Sequence, residues 1–166
     1  MHQVFLSIGG NLGNKRANFD KVYTHIQNEL GCIVLRSSVY ETPAWGFDSE
    51  DPFWNQVLCI ETHLNPSEIL DNIEKIDAVF GRKRSENGYS SREMDIDILY
   101  FDDRIFNNEN LTIPHPLLHK RLFVLVPLAE IAPDFVHPVL KLSSLEMLNK
   151  CEDKSEIKKV NNDVIS

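Results

Sequence analysis

RKRSENGYSSREMDIDILYF, residues 82–101, decides how this chain reads. A basic loop runs directly into an apolar–acidic alternation that carries Asp95 and Asp97. Alternation with a period of two is the signature of a β-strand, where side chains at i and i+2 share a face. The two carboxylates are therefore expected side by side, about 7 Å apart. Met94, Ile96, Ile98 and Tyr100 are expected on the opposite, buried face. Alternation of this kind can simply mark a solvent face. The bordering Arg82, Arg84 and Arg92 turn the reading toward a divalent cation plus a polyphosphate. Magnesium takes one or two carboxylates, keeps several waters and binds phosphate oxygens for the rest.

Elements flank this strand on both sides. Residues 3–8 read as a short strand stopped by Gly9-Gly10, and Asn14 can cap a helix over 15–30. Phe19, Val22, Tyr23, Ile26 and Leu30 follow the helical period there. Residues 32–41 and 54–63 are rich in β-formers. Asn65-Pro66-Ser67-Glu68 offers a cap, a proline at the first helical position and a capping-box acid. The helix behind it places Ile69, Leu70, Ile73, Ile76 and Phe80 on one side and ends at Gly81. After residue 101, Asp102-Asp103 reads as a turn into a short strand, RIF. A helical segment to about Ile131, interrupted at Pro127, comes next. A short helix near 143–150 and a charged, frayed tail complete the chain. The order is βαββαβ, an α+β fold of the ferredoxin-like kind. Its sheet is antiparallel, with helices on the faces and an added C-terminal helical and hairpin segment. A single domain over 1–166 is expected, with the part after about 150 peripheral.

Bulk composition narrows the function. The chain has 166 residues, 42% hydrophobic and 25% charged, with net charge −8 and pI near 5.2. Such a balance disfavours broad binding to nucleic acid or anionic membrane, and it makes a local arginine cluster more telling. Cys32, Cys59 and Cys151 fit no zinc spacing or disulfide framework and read as reduced thiols. No signal-like start or membrane-length apolar run is present, so a cytoplasmic protein is expected.

Other candidate residues weigh less by themselves. The loop from Arg82 to Arg92 reads as a lid over phosphates, with Lys83 on its surface. His115, between Pro114 and Pro116, has Lys120 and Arg121 nearby and points to phosphate contact. Between Thr42 and Asn55 the chain holds Trp45, Phe47, Phe53 and Trp54. Such a segment can pack a core, or it can hold a flat heterocycle between rings while Asn55 reads its polar edge. Phe123 would supply the second ring. GGNLGNK, residues 9–15, lacks the spacer and the Lys-Ser/Thr ending of a P-loop and reads as a tight turn.

Several of these segments together resemble one family. IGGNLGNK (8–15), YETPAWG (40–46), FWNQV (53–57), FGRKR (80–84), REMDIDIL (92–99), LTIPHP (111–116) and PLAEIAP (127–133) are similar to 6-hydroxymethyl-7,8-dihydropterin pyrophosphokinase, an enzyme of folate biosynthesis. The resemblance implies transfer of diphosphate from ATP to the pterin hydroxymethyl oxygen, with release of AMP. It implies that Asp95 and Asp97 hold two Mg2+ ions and that Arg82 and Arg92 clamp the transferring phosphates. Arg84, Tyr89, Ile98, Thr112, His115 and Arg121 would bind ATP. Phe53 and Phe123 would sandwich the pterin, Asn55 would hydrogen-bond it, and Thr42, Pro43 and Trp45 would line its pocket. Five positions depart from the family pattern: Tyr89 for tryptophan, Ser90-Ser91 for Gly-Pro, Asp77 for glutamate and Pro116 for tyrosine. A monomer acting on small molecules, without nucleic acid or membrane, is expected. The rivals are another metal-dependent nucleotidyl transferase and a ligand-binding regulatory module without turnover; fold alone does not separate them.

Overall fold

The computed structural model describes residues 1–43, 51–81 and 93–160. Its framework is a six-stranded sheet in the order β5-β1-β4-β3-β8, with β2 also paired to β4. The strands are β1 (His2–Gly10), β2 (Cys32–Arg36), β3 (Tyr40–Thr42), β4 (Phe53–Thr62), β5 (Asp95–Phe101) and β8 (Lys158–Lys159). β6 (Phe106–Asn107) and β7 (Thr112–Ile113) form a separate two-stranded ribbon. All pairings are antiparallel. The RIF strand is thus displaced: pairing begins only at Phe106.

Helices cover both sheet faces. α1 (Lys15–Glu29) and α2 (Pro66–Val79) lie on one side, and α3 (Leu122–Ile131) and α4 (Ser144–Lys150) on the other. Local chemistry explains where the first pair starts. The Asn14 side chain accepts from Ala17 N at 3.0 Å. Asn65 and Glu68 form the reciprocal capping box, at 2.9 and 3.0 Å. Each bond satisfies a donor that the first helical turn leaves orphaned.

Val4, Leu6 and Ile8 of β1 pack with Phe19, Val22 and Ile26 of α1 and Ile69, Ile73 and Ile76 of α2. The other face buries Phe5, Val57 and Cys59 under Val124, Leu125 and Leu128 of α3 and Met147 of α4. Each fully buried Leu, Ile or Phe contributes about 1.5–3 kcal/mol relative to exposure. Cys59 is buried and free, and burial pushes its thiol up to about 12. Cys32 and Cys151 are also free thiols.

Three expectations need correction. Tyr100 does not lie opposite the aspartates. Phe5 pairs with Tyr100 and Leu6 with Ile98, leaving Leu99 as an extra residue, a β-bulge. Leu99 and Tyr100 consequently both pack on the α3 side, and alternation resumes with Phe101. Pro127 does not interrupt its helix; α3 runs through it, preceded by a 3₁₀ turn at Leu118–Lys120. An interior proline loses its N–H bond and crowds the carbonyl four residues back, so the helix is held through this point by the packing of Val124, Leu125, Pro127 and Leu128. The tail is not frayed as far as Val160. β8 pairs with β3, and Val160 N donates to Val39 O at 2.8 Å.

Candidate active site

Register, more than sequence proximity, builds the site. Gly9 pairs with Asn55 on one side and Asp95 on the other, and Asn55 pairs in turn with Tyr40. Directly opposed residues share a face, so Asp95, Gly9, Asn55 and Tyr40 form one row across the sheet. A neighbouring row holds Asp97, Ser7 and Val57. Thr42 opposes Phe53, two residues before Asn55 and therefore on the same face. Every one of these side chains belongs to the side covered by α3.

Gly9 forms the floor. A Cβ there would come within 2.4 Å of Asn55 Oδ1 and 2.9 Å of the Trp54 carbonyl. Glycine is what lets the Asn55 amide lie flat over β1. Asn55 is only 7% exposed and its Nδ2 approaches Thr42 Oγ1 at 3.4 Å. Trp54 points the other way, into the α1 core, where it meets Phe19 edge-on and donates to Glu41. The aromatic segment thus divides: Phe53 faces the site and Trp54 packs.

Phe123 opens α3 above this surface, half-buried, with the Arg121 guanidinium 5.4 Å from its ring centre. Farther along α3, Glu130 accepts hydrogen bonds from Ser38 N at 2.8 Å, Ser38 Oγ at 3.1 Å and the Tyr40 hydroxyl at 2.5 Å. That carboxylate binds the helix to the start of β3. Burial, then Glu130 beside it, raises the Tyr40 phenol well above its ordinary range.

Beyond β5, an edge strand, lies a cavity of about 310 Å³. Leu70, Ile73, Asp77, Ile98, Thr112 and His115 line it, and Asp97 reaches it. Its size falls at the lower end for small-molecule sites. His115 N donates to the bulged Leu99 carbonyl at 3.1 Å, and its Nδ1 accepts from Leu117 N at the same distance. The remaining Nε2 is then the protonated ring nitrogen. Burial lowers the His115 pKa to about 4; Arg121 adds to the drop and Asp95 opposes it. His115 is therefore a neutral hydrogen-bond donor at pH 7, not a cation.

The structure thus brings together Thr42, Phe53, Asn55 and Phe123 on the sheet face, and Ile98, Thr112 and His115 around the cavity. Pro43 is exposed at the end of β3. Asp95 and Asp97 stand between the two regions. Trp45, Arg82, Lys83, Arg84, Tyr89, Ser90, Ser91 and Arg92 lie outside the described residues. Among the described residues, no three His, Cys, Asp or Glu side chains converge on a metal position. Two neighbouring carboxylates still suit a hard cation that completes its shell with water and phosphate, and do not suit zinc. Sequence reasoning missed Gly9, Glu130 and the cavity-lining Leu70. The Gly9-Gly10 pair was a signal, but its partner Asn55 was invisible without the register.

Paired acids beside a small cavity and an aromatic-amide surface suit a phosphoryl-transferring enzyme. Residues 5–133 match the family model of 7,8-dihydro-6-hydroxymethylpterin-pyrophosphokinase (HPPK). The chain belongs to this family and is a pyrophosphokinase of folate biosynthesis. It is 38% identical over 141 residues to the 2-amino-4-hydroxy-6-hydroxymethyldihydropteridine pyrophosphokinase of Aquifex aeolicus, covering 85% of this chain and 87% of that one. The corresponding protein of Methylorubrum extorquens is 39% identical over 137 residues, covering 82% and 86%. Folic acid synthesis protein FOL1 of Dictyostelium discoideum is 36% identical over 146 residues, 87% of this chain but 22% of that longer one. Among solved structures, wild-type Plasmodium falciparum HPPK-DHPS with SDX-DHP superposes with a TM-score of 0.73 at 17% identity. That match covers 90% of this chain and 44% of the Plasmodium chain. At that identity the likeness speaks for the fold. No described helix is long and apolar enough to cross a membrane.

Proposed function

We propose that this pyrophosphokinase takes its diphosphate from ATP, delivers it to the hydroxymethyl oxygen of 6-hydroxymethyl-7,8-dihydropterin and releases AMP. One observation carries the reading: the acidic pair borders both a cavity and a flat amide-and-aromatic surface. Asp97 lines the first, and Asp95 shares a row with Asn55 of the second.

In this reading the pterin lies between Phe53 and Phe123, with the Asn55 amide on its donor–acceptor edge and Thr42 and Pro43 beside it. The nucleotide occupies the cavity near Ile98 and Thr112, and the neutral His115 donates Nε2–H to a phosphate oxygen. Asp95 and Asp97 would hold two Mg2+ ions, which supply charge neutralisation to the polyphosphate. Arg82 and Arg92 would clamp the transferring group, with Arg84, Tyr89 and Arg121 on the nucleotide side and Trp45 at the pterin. Transfer of this kind asks for alignment and charge stabilisation rather than a protein nucleophile. Burial of both ring and base keeps the acceptor hydroxyl aimed at the phosphorus and limits access of competing water. The strand order β5-β1-β4-β3 supports a ferredoxin-like βαββαβ core. A cytoplasmic monomer is part of the same proposal.

The test is product identity. The protein is incubated with ATP, magnesium and the reduced pterin, and nucleotides are separated. AMP with pterin diphosphate is expected; ADP, or no turnover by folded protein, refutes the proposal.

A further inference from the structure

The segment after α4 touches both walls of the pocket assigned to pterin. Asp153 Oδ2 accepts from Leu122 N, the first residue of α3, at 3.0 Å. The other Asp153 oxygen accepts from Ser155 N at 2.9 Å and from the Ser155 hydroxyl. Arg121, at the cap position of α3, supplies no side-chain bond. A residue 31 positions away thus replaces the missing local cap of the helix that carries Phe123 in its first turn. Five residues later, β8 adds to the edge of β3, with Lys158 opposite Glu41 and Lys159 opposite Tyr40. Lys158 Nζ lies 3.3 Å from Glu41 Oε2. Val160 is 8% exposed and packs in the α1–α2 core. β3 itself spans only Tyr40–Thr42. With β8 in place, it is paired on both sides.

We propose that the strap from Cys151 to Val160 is a positioning device that sets the spacing between the two walls of the pterin pocket. Asp153 is the positioning residue for Phe123, and β8 holds the strand that ends in Thr42. The inference rests on the pterin reading of this pocket. Its logic is geometric. A stacked ring needs its partners at fixed separation, and Phe123 sits in the first turn of its helix, the part that unwinds when capping is lost. The strap does not contact the cavity beyond β5, whose lining comes from α2, β5 and the segment 109–116. Losing it should therefore act mainly on the pterin, with a smaller effect on ATP through Arg121, which directly precedes Leu122.

Steady-state kinetics of Asp153→Ala, Asp153→Asn and a chain ending at Cys151 test this, with melting temperatures measured alongside. For Asp153→Ala, KM for the pterin at saturating ATP should rise about tenfold while KM for ATP stays within about twofold. Asp153→Asn keeps an acceptor oxygen and should restore most of the loss. The truncated chain should show at least the Asp153→Ala defect; should it not fold, the two point variants decide the matter. A pterin KM within twofold of the parent for Asp153→Ala, or equal rises for both substrates, overturns the strap's role. Failure of the parent protein to turn over pterin would instead sink the pocket assignment and the strap together.

Discussion

Replacing Gly9 with alanine tests the site's floor directly. The new Cβ would lie 2.4 Å from Asn55 Oδ1, 3.3 Å from Asn55 Cγ and 2.9 Å from the Trp54 carbonyl. Contacts under 3.0 Å force movement. The Asn55 amide can swing away, but the Trp54 carbonyl belongs to β4 and moves only if the β1–β4 ladder opens. Overpacking of this kind costs about 1–3 kcal/mol. For a chain of this size that lowers Tm by about 2–4 °C per kcal/mol. A displaced Asn55 would also lose the hydrogen bonds proposed for it on the pterin edge, worth about 1–3 kcal/mol, or roughly a fivefold to 150-fold rise in pterin KM. The cavity beyond β5, proposed above for ATP, should be spared. Gly31→Ala provides the control. Its Cβ would meet the Glu61 carbonyl at 2.3 Å, at the far end of β4 from Asn55, so it should cost stability alone. Comparing KM for both substrates and Tm across the two variants decides. A Gly9→Ala protein whose pterin KM matches that of Gly31→Ala would refute the argument.

Further outcomes follow from the same geometry. Asp97→Ala should lower turnover by at least about 10²-fold with the far-UV spectrum and Tm little changed, since the side chain is half-buried at a strand edge; near-normal rates would remove it from the site. His115 should stay neutral in an NMR titration until the pH approaches about 4. Between that value and the ordinary histidine pKa near 6.5, the unfolded chain binds a proton that the native one refuses. Stability therefore falls as pH drops through this window, and His115→Gln should flatten that slope in denaturant titrations. Asn65→Ala removes the acceptor for Glu68 N and should cost about 1 kcal/mol, read as a Tm drop of about 2–4 °C with both KM values unchanged.

Much of this was written locally in the chain. The caps at Asn14 and Asn65 and the period of the apolar residues placed α1 and α2 nearly to the residue. The Asp95–Ile98 alternation placed the acidic strand and its faces. What escaped was relational. Whether Tyr100 faces α2 or α3 depends on how many residues β1 offers opposite it, and alternation within β5 contains no record of that. β8 is two lysines long and gains its structure from β3, not from its own propensity. Gly9 reads as a turn glycine until Asn55 is seen across from it. The division between Phe53 and Trp54 could be read only once one of them was known to face α3.

The bulge at Leu99 has a further consequence. Delete that residue, and Tyr100 still opposes Phe5, Ile98 still opposes Leu6, and both faces keep their proper occupants. The sheet would simply become regular. The extra residue is therefore a spacer rather than a packing necessity. It adds one carbonyl to the outer edge of β5, and that carbonyl is what His115 N holds. In a shortened chain the sheet should fold while the segment bearing Thr112 and His115 loses its mooring. Insertions and deletions at this single position would then reshape the cavity beyond β5 independently of the fold.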